Sequence, residues 1–327
     1  MKILVTGGGG YVGCELVNSL LKNNHKVTSL DLYLYGEDVM PVHENFSSVK
    51  GDIRDQMLLK KAFKDQDIII HLACISNDPS FELNPTLGKS INLDAFEPMV
   101  KIAKDSNVKR FIYASSSSVY GVKEENDVHE DMSLEPLTDY SVFKANCEEI
   151  LLKYKSDDFE VVTIRPATVC GYSKRQRLDL VVNILTSFAY NKGKITVLGG
   201  NQLRPNIHIK DMIEIYNRVI TAESSLVNGQ IFNAGYQNLK VIEIAELVKK
   251  IIGDHVEIEI KESDDNRSYH ISSEKIKSVL GFSSSFTVEN SIVDLKKCFD
   301  KKLLTDPLNN IKYYNIKLMN SIQLKEF

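Results

Sequence analysis

Residues 2–13 read KILVTGGGGYVG. A short apolar run ends at Thr6 and passes into a turn with Gly7, Gly10 and Gly13 at G-x-x-G-x-x-G spacing. Beyond the turn Val12, Leu16 and Leu20, with the neighbouring Val17 and Leu21, recur at helical period. The run predicts a strand over 2–6, and the repeat predicts an amphipathic helix over 11–23 packed on a sheet. Missing Cβ atoms let the turn be tight, let the backbone approach a pyrophosphate, and let helix and strand pack closely. The helix N-terminus, with Tyr11 and Val12, offers N–H donors and a favourable dipole to that anion.

The second predicted strand, 26–31, ends on Asp31, 18 residues beyond Gly13. A carboxylate there accepts from both ribose hydroxyls of NAD and repels the 2′-phosphate of NADP. Further strands are predicted at 47–52, 67–73, 110–115 and 160–165, alternating with segments of helical period. That pattern is an α/β fold, a doubly wound parallel sheet of Rossmann type. Asp52 and Ile53 after the third strand, and Leu72 and Ala73 at the end of the fourth, are expected along the cofactor. Asp52 reads either as an adenine partner or as an ordinary turn carboxylate.

After Arg165-Pro166 the texture changes to a basic segment, 173–183, a Gly-Gly turn at 199–200, and late strands around NIHI and FNAG. No repeat or Gly/Ser linker separates the halves, so a smaller discontinuous α/β substrate domain is expected to interleave with the first. The boundaries are 1–166 and 206–237 for the dinucleotide domain, and 167–205 and 238–327 for the substrate domain.

At 43% hydrophobic and 26% charged, the 327 residues suit a globular protein with a sizeable core. The net charge of −4, with Lys and Arg dispersed, gives no footprint for nucleic acid. No stretch reaches the roughly 18 apolar residues of a membrane span, and the N-terminal apolar run is too short for a signal peptide. The five scattered cysteines fit reduced, buried positions better than a disulfide framework or a zinc site. A soluble, cytoplasmic protein without a metal is expected. His71 and His208, in apolar strand contexts, read as core residues.

Tyr140 and Lys144 stand four apart at the start of a helical pattern through Leu152, so both project from one helix face. A tyrosine acting as a base at neutral pH must ionise about three pH units below its usual value near 10, roughly 4 kcal/mol in favour of the phenolate. A neighbouring ammonium has the right sign to help supply that. A surface tyrosine and a solvated lysine would share the same spacing. Upstream, Ser115 to Ser118 close the strand RFIYAS, at the sheet edge where open α/β sheets bind ligands.

With TGGGGYVG (6–13), GDIRD (51–55), HLA (71–73), SSSSVYG (115–121), Tyr140-x-x-x-Lys144, RPATVCG (165–171), RPNIHIKD (204–211) and DDNRSYHISSEKI (264–276), nearly the whole chain resembles an extended short-chain dehydrogenase of the nucleotide-sugar epimerase/dehydratase family. The resemblance implies an NAD(H)-dependent enzyme that oxidises the C4 hydroxyl of an NDP-hexose or NDP-heptose, as a 4-epimerase or 4-dehydrogenase. It implies Tyr140 as the base, Lys144 as nicotinamide-ribose ligand and tuner of Tyr140, and Ser116, five residues before Gly121, as the relay hydroxyl. The Asp-Glu pair of the 4,6-dehydratases is replaced by Ser117 and Ser118, which argues against elimination. Asn183, Arg204 and Arg267 are implied at the substrate diphosphate, with Arg175 and Arg177 as weaker candidates. Asn77 and Ser117 are placed near the sugar, although Asn77 also suits a turn before Pro79. Thr168 and Cys170 depart from the family's Asn and Tyr. The family habit of pairing through helices around 86–106 and 138–154 implies a homodimer. A 4-keto-sugar reductase, or a non-catalytic dinucleotide sensor, is the alternative reading.

Overall fold

The computed structural model describes residues 1–76, 78–125, 127–262, 268 and 270–322. Its centre is a parallel sheet of seven strands. Six come from the first half: β1 (Lys2–Thr6), β2 (Lys26–Asp31), β3 (Phe46–Lys50), β4 (Ile68–His71), β5 (Arg110–Ala114) and β6 (Glu160–Pro166). They are followed by β7 (Thr168–Cys170), β8 (Lys194–Leu198), β9 (Leu203–His208), β10 (Gln230–Ala234), β11 (Gln237–Lys240) and β12 (Glu257–Lys261). The spatial order β10-β6-β5-β4-β1-β2-β3 reverses direction between β1 and β4. Ligands of open parallel sheets bind at such a reversal, beyond the carboxyl ends of the strands.

Alternation along β1 shows why the sheet is covered twice. Ile3 and Val5 pack with Leu16, Leu20, Ile213 and Tyr216 of helices Tyr11–Lys22 and Ile209–Thr221. Leu4, between them, faces the other way with Leu59, Phe63, Phe96 and Met99 of helices Gln56–Phe63 and Phe96–Asp105. A strand buried on both faces is apolar throughout, which is what KILV supplies. Each fully buried Leu, Ile or Phe contributes about 1.5–3 kcal/mol relative to exposure.

The smaller part holds two sheets, β11-β9-β7 and β12-β8. Helices Val181–Lys192, Val241–Ile252 and Val288–Asp300 close over β8 around Leu185, Ile195, Val197, Ile244, Val248 and Ile292. Packing draws the boundary differently from the sequence reading. Ile271, Ile276 and Phe282 join the core of the large sheet, so the segment around 271–282 returns to the dinucleotide half. Conversely, Asn206, Ile207 and His208 hydrogen-bond within the small sheet, although Ile207 still packs into the large core. Among the described residues no helix is long and apolar enough to cross a membrane.

Candidate active site

The glycine turn sits where the sheet reverses. Gly7 takes φ +76, and a Cβ there would lie 2.6 Å from the Ala73 backbone nitrogen; a Cβ on Gly13 would lie 2.1 Å from the Gly7 carbonyl oxygen. Neither clearance admits another residue. Helix Tyr11–Lys22 starts at Gly10 with no side-chain cap, which leaves its first backbone donors to a ligand.

Asp31 ends β2 beside this turn. Its Oδ2 accepts from the Gly9 N–H at 2.9 Å and its Oδ1 from the Tyr33 N–H at 2.7 Å, each oxygen keeping a further lone pair. Burial raises its pKa above the usual carboxylate value, and those two backbone bonds oppose the rise. Asp52 also faces the cleft, but its carboxylate grips the Arg54 guanidinium at 3.0 and 2.7 Å, which restrains it as an adenine partner. The Arg54 side-chain and backbone bonds outweigh burial and lower the Asp52 pKa.

Helix Asp139–Lys153 carries the other half of the site. Thr138 caps it, its Oγ1 accepting from the Ser141 N–H at 3.3 Å. Tyr140, Lys144 and Glu148 follow at intervals of four and form a polar stripe against the sheet, with Lys144 and Glu148 both buried. The Lys144 ammonium donates to the Ala114 carbonyl at 2.6 Å and lies 4.9 Å from the Tyr113 ring centroid and 5.8 Å from that of Tyr140. No carboxylate pairs with it among the described residues, so its charge is directed at the phenol and at whatever binds beside it. Its influence reaches His71: burial first, then the Lys144 charge, push that imidazole down to about 3. His71 is a core residue bonded to Thr6 Oγ1 through Nδ1 at 2.7 Å.

Below the serine turn lies a closed ionic network. Arg165 of β6 donates from Nε and Nη2 to the Glu148 carboxylate, at 3.0 and 2.6 Å, and from Nη1 to Tyr120 Oη at 2.7 Å. Ser115 Oγ bonds the same carboxylate. Tyr120 Oη in turn donates to Asn233 Oδ1 of β10 at 2.7 Å. Above it, Ser116 Oγ, Ser118 Oγ and Ser141 Oγ form a chain with links of 2.8 Å.

One cavity of about 380 Å³ unites these parts. Its wall contains Gly7, Gly10, Tyr11, Val12, Gly13, Asp31, Asp52, Ile53, Leu72 and Ala73 on the dinucleotide side. Ser116, Ser117, Tyr140, Lys144 and Thr168 line it as well. The volume is within the range of small-molecule sites. The glycine clearances, the uncapped helix start and the Asp31 carboxylate together fit a dinucleotide.

The predicted substrate residues fare differently. Asn183 is fully buried with its amide engaged by the protein: Nδ2 donates to Tyr11 Oη and the Arg177 carbonyl, and Oδ1 accepts from the Gly171 N–H. It braces the wall from behind and does not face the cavity, which corrects its expected role. Arg204 stands on β9 outside the cavity wall, with Nη1 donating to the Leu203 carbonyl at 3.0 Å. Asn77 and Arg267 lie outside the described residues. The sequence reading missed Tyr35, Ser76, Asn315 and Met319 and underrated Arg175 and Arg177, all of which line the cavity. Local spacing links only Arg175 with Arg177 and Asn315 with Met319; the four stretches these residues come from are far apart in the chain.

Comparison with known proteins gives the same answer as the geometry. The profile of the NAD dependent epimerase/dehydratase family matches residues 3–235. The chain belongs to this family. It is 28% identical over 306 residues to UDP-glucose 4-epimerase of Lactobacillus helveticus, covering 86% of this chain and 92% of that one. Among solved structures, the UDP-glucuronic acid 4-epimerase from Bacillus cereus, in complex with UDP-glucuronic acid and NAD, superposes with a TM-score of 0.82 at 25% identity, covering 91% of this chain and 99% of that chain. DesIV, a dTDP-glucose 4,6-dehydratase from Streptomyces venezuelae, shares the fold with a TM-score of 0.85 at 22% identity, over 94% and 100% of the two chains. The cofactor is NAD, and the chain is an NAD-dependent enzyme of the nucleotide-sugar epimerase/dehydratase family.

Proposed function

We propose that this enzyme oxidises the C4 hydroxyl of a nucleotide-diphosphate hexose or heptose and returns the sugar as its C4 epimer. The observation that carries this is the convergence of Tyr140, Lys144 and Ser116 with the glycine turn in one cavity. Bound NAD would supply the two-electron carrier, taking up the C4 hydride and giving it back to the other face of the ketone. The Ser116 hydroxyl holds the sugar hydroxyl, and the Tyr140 phenolate, favoured by the neighbouring Lys144 ammonium, removes its proton and becomes the neutral phenol. The same phenol returns the proton after the ketone has presented its other face. Ser117 and Ser118 bring hydroxyls where elimination of water would require an acid and a base, which favours chemistry confined to C4.

Purified enzyme incubated with UDP-, GDP-, dTDP- and CDP-sugars tests the proposal, with products resolved by NMR and nicotinamide absorbance followed throughout. A C4 epimer without net reduction of the cofactor is expected. Lasting reduction with a 4-keto product would replace epimerisation by 4-dehydrogenation. Tyr140→Phe is expected to lose at least about a hundredfold in turnover while retaining NAD; full activity would remove the phenol from the mechanism.

A further inference from the structure

We propose that Arg175 and Arg177 form a cationic clamp on the pyrophosphate of bound NAD, reaching it from the small-sheet side and held there by helix Asn315–Ile322. The inference rests on the dinucleotide site and is independent of the sugar chemistry.

The segment between β7 and helix Val181–Lys192 is stitched to the first turn of helix Tyr11–Lys22. Tyr11 Oη donates to the Gly171 carbonyl at 2.6 Å, Ser173 Oγ donates to the Tyr11 carbonyl at 2.8 Å, and the Lys174 N–H donates to Glu15 Oε1 at 2.9 Å. These bonds carry the next residues to the glycine turn, and both arginines line the same cavity as Gly7, Gly10 and Asp31. They are 4% and 8% exposed.

Neither guanidinium has all of its nitrogens engaged by the described residues. Arg175 lies over the Tyr35 ring, 3.5 Å from its centroid, and donates from Nη2 to Asn315 Oδ1 at 2.6 Å. Arg177 donates from Nε to Asp179 at 2.9 Å and from Nη1 to Ser76 Oγ at 3.1 Å. Among the described residues Arg175 Nε and Nη1 and Arg177 Nη2 have no hydrogen-bond partner, although all three are buried. Asp179 balances one of the two charges. Buried, unpartnered charged donors are costly, so the arrangement calls for an anion rich in acceptors.

Two diphosphates could enter the cavity, that of the cofactor and that of the sugar substrate. Position selects the first. Arg175 lies on the ring of Tyr35, four residues beyond Asp31 at the end of β2, and all three line the cavity, which puts the guanidinium at the adenosine end. The stitched segment crosses the N-terminus of the glycine-turn helix, so backbone N–H groups and guanidinium forks meet an anion there from opposite sides.

Asn315 is the keystone of the clamp. Its N–H donates to Asp179 Oδ2 at 2.9 Å, its Nδ2 donates to Ser76 Oγ at 3.0 Å, and its Oδ1 accepts from Arg175 and from Tyr35 Oη at 3.0 Å. NAD held this way is enclosed by segments from both parts of the chain, which suits a redox-neutral reaction in which the cofactor need not leave.

Calorimetric titration of nucleotide-free protein with ADP-ribose, adenosine, UDP and GDP tests the clamp. In Arg175→Met, ADP-ribose affinity is expected to fall about tenfold or more, while adenosine and nucleoside-diphosphate affinities hold. The thermal midpoint without ligand is expected to stay level or rise, because the substitution removes a buried unpartnered charge. Unchanged ADP-ribose affinity, or a loss confined to UDP or GDP, would overturn the proposal; the second result would assign the arginines to the sugar nucleotide. If Arg175→Met does not fold, Arg175→Lys, which keeps the charge and loses the fork, is read by the same two outcomes. Wild-type protein that fails to bind ADP-ribose would sink the cofactor site itself and the clamp with it.

Discussion

Arg165 and Arg175 are buried alike, at 2% and 4% exposure, yet their surroundings are opposite. Arg165 is saturated by Glu148, Tyr120 and the Glu130 carbonyl. Among the described residues, two of the three Arg175 nitrogens have no hydrogen-bond partner. Depth alone therefore does not separate a strut from a ligand group; the state of the remaining donors does. A saturated guanidinium fixes β6, the serine turn and helix Asp139–Lys153 to one another, while an open one waits for acceptors from outside the chain.

The comparison can be broken first at its saturated member. Arg165→Met strands the Glu148 carboxylate in the core and is expected to cost about 3–5 kcal/mol in urea denaturation, equally with and without NAD. A loss below about 1 kcal/mol, or one that NAD abolishes, would mean that Arg165 is not a strut. Adding Glu148→Gln to that variant is expected to recover part of the loss, since no charge is then left unpaired.

A smaller effect concerns His71, which is buried and has no carboxylate partner among the described residues. Its folded pKa of about 3 lies below the unfolded value near 6.5, so the unfolded chain binds the extra proton first. The contribution is fully present above about pH 6.5 and is lost as the pH falls toward 3, amounting to about 2 kcal/mol by pH 5. His71→Gln is expected to flatten this part of the stability profile; an unchanged slope would show that His71 is not the titrating group.

The smallest effect sharpens the picture of the network. Tyr120→Phe removes one acceptor from Arg165 and one donor from Asn233, and should cost about 1 kcal/mol while leaving NAD affinity unchanged. A larger change in NAD affinity than in stability would tie the strut to the cofactor site and dissolve the distinction.

Legibility in the sequence follows the range of each constraint. Gly7, Gly13 and Asp31 were readable because the turn, the helix start and the strand end lie within one βαβ unit. Tyr140 and Lys144 were readable because a helix places i and i+4 together whatever surrounds it. Arg175 and Arg177 read only as weaker candidates in a basic segment, since a partner that fixes Arg175, Asn315, is remote in the chain. Asn183 misled for the opposite reason: an amide suits a phosphate, but here Tyr11, Gly171 and Arg177 already engage it. The boundary near 271–282 failed because Ile271, Ile276 and Phe282 carry no mark of which core they enter.

The placement of β10 has a consequence for synthesis. Its partner β6 is complete well before it, and β7, β8 and β9 emerge in between. Until Gln230–Ala234 leaves the ribosome, the β-branched row Val161–Ile164 is an open border able to recruit strands from neighbouring nascent chains. Arrival of β10 seals that border and seats Asn233 on Tyr120 at the same moment, so the last strand to join the sheet also completes the platform under the serine turn.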